Sequence, residues 1–366
     1  MKINHLDLSS HPEFDNHHSV TEFICDKTGL HALIAIHNLN LGPALGGCRF
    51  YPYTSTEHAF TDVLRLSKGM TYKSALAGLN LGGGKSVIIG DPKKIRTPAM
   101  MQKFGEAIES LKGNYITAED VGSHEEDMIE ISKSTSHVAG LPDDHDPSHV
   151  SGNPSPITAL GTFYGLKAAV KFKLKRNDLK DLTVSIQGMG AVGRSLADYL
   201  LNEGAYLFIA DMNNEILTAY KNKYPKQITI IDPHEILKIE TDIVSPCAMG
   251  GIINQDSIKT LKTKIIAGAA NNQLNTKDDD KRLFDRDILY APDFAINSGG
   301  ITSVGYEYFS RSGKNPYPYP LTREHMLSHV KKIGDTMLTI FEKSRNEGIP
   351  CGQAANQLAE QLFQKA

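Results

Sequence analysis

The chain has 366 residues, more than one hydrophobic core usually serves, so two domains are expected. With 40% hydrophobic and 22% charged residues it is neither a disordered chain nor a coiled coil, and a net charge of −3 argues against nucleic acid or an anionic membrane as its main partner. No apolar run approaches the ~20 residues that a membrane span needs. The first residues, "MKINHLDLSSHPEFDNHHSV", hold no apolar core after Lys2 and do not read as a signal peptide. Cys25, Cys48, Cys247 and Cys351 lie far apart without zinc spacing, which predicts free thiols and a cytoplasmic protein.

In chain order, "HALIAIH" (31–37) alternates like a strand. "STEHAFTDVLRLSKGM" opens with Ser and Thr capping candidates and places Phe60, Val63, Leu64 and Ser67 on one helical face. "SVIIG" (86–90) and "YITAED" (115–120) read as strands. The His/Asp-rich "PDDHDPSH" (142–149) lacks a helical H-x-x-x-H or a matched ligand set, so it predicts a polar loop and no metal site. The Pro, Gly, Ser and Asp residues around position 150 mark a domain boundary. Beyond it, "LTVSIQG", "AYLFIAD", "ITIID", "TDIVSPC", "KIIAGAA" and "ILYAPD" alternate with helical stretches. That pattern predicts βαβ units and a parallel sheet. The expected organisation is α/β with two domains, 1–150 and 151–330, followed by 331–366 as helices packing back toward the first domain or the hinge.

Within the second domain, a β-run ends at Gln187 and Gly188, Met189, Gly190, Ala191, Val192 and Gly193 form G-x-G-x-x-G. A helix and a second β-run ending in Asp211 follow, which is the context a dinucleotide fingerprint requires. Gly188 permits the tight turn, Gly190 lets backbone N–H groups approach a pyrophosphate, and Gly193 allows close helix–strand contact. Asp211 would accept the ribose hydroxyls and repel a 2′-phosphate, so NAD is favoured over NADP. "SPCAMGG", with Cys247 and Ala248, and "GAANNQ", with Asn271, are strand ends expected to line the same crevice.

Lys73 and Lys85 flank the bare backbone of "LNLGGGK". Two adjacent ammonium groups bind an anion and depress one another's pKa. One can then act as a general base while the other holds a carboxylate. Glu119 and Asp120, at the end of a β-run, offer a carboxylate that could shuttle a proton, or simply cap the next helix.

"GPALGGCRFYPY", "KGMTYKSALAGLNLGGGKSVIIGDP", "YITAEDVG", "GNPSPIT", "GMGAVG", "PCAMGG", "IAGAANNQL" and "YAPDFAINSGGI" together resemble the amino-acid dehydrogenases of the glutamate/leucine/phenylalanine/valine group, in the right order from about residue 20 onward. Within the group the chain looks most like the leucine enzymes. The resemblance implies that Lys73 binds the substrate α-carboxylate, Lys85 activates water and Asp120 exchanges a proton with the substrate amine. It further implies that Gly46 and Gly47 line the substrate site, that Asn271 lies near the nicotinamide and the amine, and that Thr158 lies close to the cofactor. Glutamate enzymes carry a lysine where this chain has Leu45; with Met70 and Ile301 as further apolar walls, a branched-chain L-amino acid is expected. The implied reaction is oxidative deamination to a 2-oxo acid, ammonia and NADH by a homo-oligomer, a dimer or higher, with 1–150 as the catalytic and oligomerisation domain, 151–330 as a Rossmann-like NAD-binding domain and a cleft between them. Phenylalanine or tryptophan dehydrogenase and a non-catalytic NAD-binding regulator are the alternatives. "GGGK" in place of "GGAK", "GGITSV" in place of "GGVINV", a shorter C-terminus and the stretch "HDPSHV" depart from the leucine pattern.

Overall fold

The computed structural model describes residues 1–142, 150 and 153–364; the His/Asp-rich stretch 143–149 lies outside them. The chain forms two compact units. One comprises Met1–Asn153, Thr302–Met326 and Ala359–Ala366, the other Pro154–Ile301 and Leu327–Leu358.

The first unit begins β1 (Lys2–His5), β2 (Ser19–Cys25), β3 (Leu30–Asn38), β4 (Ala44–Tyr51), α1 (Thr56–Leu76), β5 (Gly82–Ile89), α2 (Pro92–Ile95), α3 (Pro98–Glu109), β6 (Tyr115–Glu119) and α4 (Glu125–Ser132). Its sheet runs β1-β2-β3-β5-β4-β6. The pairs from β1 to β5 are antiparallel, and β4 is parallel to both β5 and β6. Side-chain alternation sends Phe23, Ile34, Phe50 and Ile88 to a core with Phe104 and Ile108 of α3 and Ile131 of α4. Leu33 and Val87 point the other way and meet Ala59, Val63 and Leu64 of α1. Ser55 caps α1 by accepting the His58 N–H at 3.3 Å, and Glu57 suits the positive end of its dipole. The sheet is therefore buried on both faces, and α1 defines the face that carries the polar site.

The glycine run does not form an open loop. Gly82, Gly83 and Gly84 are buried residues of β5. A Cβ on Gly83 would collide with the backbone nitrogen of Thr71 in α1, and one on Gly84 would lie 2.8 Å from the Tyr115 ring. The bare backbone admits a helix on one side and an aromatic ring on the other.

In chain order the second unit contributes α5 (Ser155–Leu174), β7 (Thr183–Gln187), α6 (Ala191–Asn202), β8 (Tyr206–Ala210), α7 (Asn214–Lys223), β9 (Ile228–Ile230), β10 (Ile243–Pro246), α8 (Gln255–Thr260), β11 (Ile265–Ile266), α9 (Asp278–Asp285), β12 (Leu289–Tyr290) and α10 (Asp293–Ile296). The chain continues through α11 (Gly299–Ser312), α12 (Arg323–Lys331), α13 (Ile333–Glu347) and α14 (Cys351–Gln364). Every pairing in the second sheet, β12-β11-β10-β7-β8-β9, is parallel. From β7 the chain adds strands outward to β9, then returns to β10 on the other side of β7. The crevice at the carboxyl ends of β7 and β10 is the switch point where such sheets bind ligands.

The unit boundaries differ from those expected. Thr302–Met326 belongs to the first unit rather than to the dinucleotide domain. There the Glu307 carboxylate accepts the N–H groups of Gly140 and Leu141, and Arg311 donates to the Pro142 carbonyl. Of the C-terminal helices, Leu327–Leu358 stays with the second unit and only Ala359–Ala366 joins the first, where Tyr72 donates to Glu360. Helical periodicity reveals an apolar face but not which surface covers it.

Candidate active site

β4 and β5 run at one constant register, with Leu45 opposite Gly83, Cys48 opposite Ser86 and Arg49 opposite Val87. That offset sets Gly47 beside Lys85, on the face that α1 covers. On its other side Gly47 pairs with Ala118 of β6, two residues before Asp120. A Cβ at Gly47 would strike the Glu119 carbonyl and lie 2.9 Å from the Asp120 Cβ. The missing side chain lets Lys85 and Asp120 meet across the strand, with Lys85 Nζ 2.9 Å from Asp120 Oδ2.

The Lys85 side chain is only 6% exposed, and an ion this deeply buried needs a partner. Arg49, from β4 itself, donates to the same oxygen of Asp120 at 3.0 Å and to Asp62 of α1 at 2.8 Å. Tyr53 closes the chain by donating to Asp62 at 2.6 Å. Burial alone would raise the Asp120 carboxyl; Lys85 and Arg49 outweigh it and hold the group below the usual carboxylate range. A proton can pass between Lys85 and Asp120 at hydrogen-bond distance, and Arg49 holds the carboxylate in place.

Lys73 and Met70 lie three residues apart on α1, a spacing that puts them on one side of the helix. Thr71 between them is the residue that touches Gly83, so Lys73 follows that contact by two positions along α1, as Lys85 does along β5. Leu45 is 2% exposed and shares the face of Gly47 and Lys85. Gly46 points to the opposite face, where a Cβ would strike the Gly84 carbonyl; its own carbonyl accepts the Tyr115 hydroxyl at 2.6 Å. Its bareness therefore has a packing cause.

In the second unit, Gly188 follows β7 directly with φ +102°, and a Cβ there would come 2.5 Å from that of Ala248, in the loop after β10 beside Cys247. The two switch-point loops thus touch. Gly190 occupies the cap position of α6, which no side-chain hydrogen bond closes, and no atom lies within 4 Å of where its Cβ would be. Ala191 and Val192 begin α6, so its first N–H groups face this space as a cradle for an anion. At Gly193 a Cβ would strike the Gly188 carbonyl, so the helix closes directly on the turn. Asp211, just past β8, accepts the Met189 N–H at 2.6 Å and the Asn213 N–H at 2.9 Å. This ties the acid to the glycine turn and fits a dinucleotide with its pyrophosphate at α6 and its ribose at Asp211.

Asn271 is exposed, and its Oδ1 accepts a hydrogen bond of 2.7 Å from Asn297, which is itself buried. Thr158 lies in the first turn of α5 and donates to the Pro154 carbonyl at 3.0 Å. Ile301 ends the first of the second unit's two segments, Pro154–Ile301. The sequence reading passed over Arg49, Asp62, Tyr53 and Asn297. Arg49 sits inside "GGCRFYPY", and its two-residue spacing from Gly47 was the available signal. No group of three or more His, Cys, Asp or Glu suited to a metal occurs among the described residues, nor does a helix long and apolar enough to cross a membrane.

A family model for the dimerisation domain of Glu/Leu/Phe/Val dehydrogenases matches residues 16–137, and one for the Glutamate/Leucine/Phenylalanine/Valine dehydrogenases matches 153–366. The chain is 44% identical over 339 residues to a leucine dehydrogenase of Thermoactinomyces intermedius, covering 92% of this chain and 88% of that one. It is 41% identical over 358 residues to a phenylalanine dehydrogenase of Bacillus thermotolerans, covering 97% and 90%. Among solved structures, L-tryptophan dehydrogenase from Nostoc punctiforme superposes with a TM-score of 0.83 at 36% identity, covering 96% of each chain. With both units matched and the dinucleotide turn in place, the chain belongs to the Glu/Leu/Phe/Val dehydrogenase family and is an NAD-dependent amino-acid dehydrogenase.

Proposed function

We propose that the chain catalyses reversible oxidative deamination of a branched-chain L-amino acid, leucine, valine or isoleucine, to the 2-oxo acid, ammonia and NADH. The observation that carries the specificity is Leu45, buried and apolar on the face of Lys85. A substrate with a second carboxylate would meet no cation there, and its desolvation would go uncompensated.

In this reading Lys73 pairs with the substrate carboxylate and fixes its orientation. NAD, when bound, accepts the hydride from Cα. Asp120 exchanges a proton with the substrate nitrogen, and Lys85 takes a proton from the water that attacks the resulting C=N carbon. The 2.9 Å contact between them lets the proton gained by one return through the other as ammonia leaves. Gly47 leaves room for the pair, Met70 lines the substrate site of the first unit with Leu45 and the Gly46 backbone, and Ile301 and Asn271 are the substrate-binding residues of the second unit. Gly188, Gly190, Ala191, Val192, Gly193, Thr158, Cys247, Ala248 and Asn271 hold the cofactor. Asp211 disfavours the 2′-phosphate of NADP. The match to a dimerisation domain supports a homo-oligomer, and the free, widely spaced thiols suit the cytoplasm.

The names of the phenylalanine and tryptophan relatives support a second reading, an aromatic substrate. Initial rates with a panel of L-amino acids and NAD, followed by NADH absorbance, separate the two. Leucine, valine and isoleucine are expected to lead, with little rate from glutamate. Phenylalanine or tryptophan above leucine would select the aromatic reading, and glutamate above leucine would refute the role of Leu45.

A further inference from the structure

The ion cluster of the first unit is wider than the pair that handles the proton. Lys85 and Asp120 touch each other, Arg49 touches Asp120, and Asp62 touches Arg49 and Tyr53. Asp62 stands in the second turn of α1, three residues after Ala59 and one before Val63, both packed on the sheet. That spacing puts it on the flank of the buried face, where its carboxylate reaches β4. Its Oδ2 accepts from Arg49 Nη1 at 2.8 Å and from the Tyr53 hydroxyl at 2.6 Å. The Tyr53 ring meets that of Tyr51 edge-on, with centres 5.3 Å apart. A guanidinium is planar, so Nε on Asp120 and Nη1 on Asp62 fix it along two of its edges.

Stability alone does not account for this arrangement. The side chains of Arg49 and Asp62 are 23% and 28% exposed, and ion pairs this open to water add little. Ala59, Val63 and Leu64 already pack α1 against Leu33 and Val87. The charges give Asp62 another use. Lys85 and Arg49 are two cations, Asp120 and Asp62 two carboxylates, so the cluster balances while Lys85 holds its proton. With Asp62 made neutral, one positive charge is left over, and the cluster balances once Lys85 gives its proton up. Other titratable groups around the pair add no charge at neutral pH. Burial raises Cys48 of β4 to about 12 and lifts Tyr53 and Tyr115 well above their usual range, while it lowers His37 of β3 to about 4. Asp127 of α4 is paired with Arg96 at 3.5 Å and Lys68 of α1 with Asp15 at 2.8 Å; Lys73 of α1 is retained in every variant below.

We propose that Asp62 is a positioning residue of the active site, which divides Arg49 between two carboxylates and so sets the pH at which Lys85 is free to act as base. The inference rests on the reading of Lys85 as base and Asp120 as its proton partner.

The test is the pH profile of kcat/KM for the full chain, with the amino acid that the rate panel ranks first. Asp62→Asn keeps the size and one acceptor oxygen and removes the charge. Its acid limb is expected at least about 0.5 pH unit lower, the effect of one unit charge several ångströms away in a water-like medium. Asp62→Glu restores the charge and is expected to bring the limb back to within about 0.2 pH unit of the unmutated chain. If Asp62→Asn does not fold, Asp62→Ser, smaller and also neutral, takes its place with the same expected shift. A purely structural role would lower kcat at every pH and leave the limb where it is. The proposal is overturned if the neutral variant leaves the limb within about 0.2 pH unit or moves it upward, or if Asp62→Glu displaces it as far as the neutral variant does. Lys85→Ala, measured alongside, tells two failures apart. If it retains turnover, the base assignment and the proposal fall together; if it is inactive and the limb of the neutral variant stays in place, the role of Asp62 alone falls.

Discussion

Two glycine clusters, one in each unit, look alike in sequence, but the second contains a glycine, Gly190, that does the opposite of the first cluster. In the first unit Gly46, Gly47, Gly83 and Gly84 lie inside strands, and each Cβ would meet another atom of the protein. In the second unit Gly190 stands at a helix cap with empty space where its Cβ would be. The first cluster is bare so that the protein can approach itself; Gly190 is bare beside space that a ligand can enter. The first arrangement brings two ions together across a strand, and the second leaves helix N–H groups open to an anion. A glycine's meaning is thus set by what its absent side chain would touch.

Lys85→Ala gives the largest effect, because it removes one of the two groups that the strand glycines bring together. The turnover number should fall at least about a hundredfold, the low end of general-base contributions, while NAD affinity holds. Retention of a tenth of the wild-type turnover number would detach Lys85 from the chemistry.

A pair of variants then sets one cluster against the other. Gly84→Ala forces a methyl against the Tyr115 ring and Ala44, and should cost about 1–3 kcal/mol of stability, read as a lower midpoint in denaturant. Gly190→Ala adds a methyl to open space at φ −68°, which any residue adopts, so the midpoint should hold while NAD binds about tenfold more weakly by titration. If both variants lost stability, or both lost only NAD, the contrast would disappear. Asp211→Ser should have the smallest effect. The unmutated chain is expected to favour NAD over NADP by at least about tenfold in kcat/KM, and the variant should narrow that gap. Equal kcat/KM for the two cofactors before mutation would remove the role of Asp211.

The second unit was the more legible from sequence. Strand, glycine turn, helix and acid follow one another locally between Thr183 and Asp211, so periodicity and spacing sufficed to place Gly188 beside Asp211. The ion cluster of the first unit draws Arg49, Asp62, Lys85 and Asp120 from four segments, and only sheet order brings them together. Lys85 and Asp120 stood out through the family motifs. Arg49 lay unread within one of those motifs, because no local pattern tells which carboxylate a guanidinium will reach. From sequence the glycine run reads as open backbone, since sequence does not show a helix lying across β5. The place of Thr302–Met326 was equally hidden, because the contacts that hold it, such as Glu307 with Gly140, are distant in the chain.

Gly47→Ala tests most directly whether the strand glycines exist to bring Lys85 and Asp120 together. The added methyl must displace Asp120, whose Cβ lies 2.9 Å away, or the Glu119 carbonyl. The measurement is the turnover number and the NAD dissociation constant of the folded variant, with circular dichroism as the check on folding. The account predicts a turnover number at least about tenfold lower with NAD affinity unchanged. A folded variant that turns over within about twofold of the unmutated chain would contradict it.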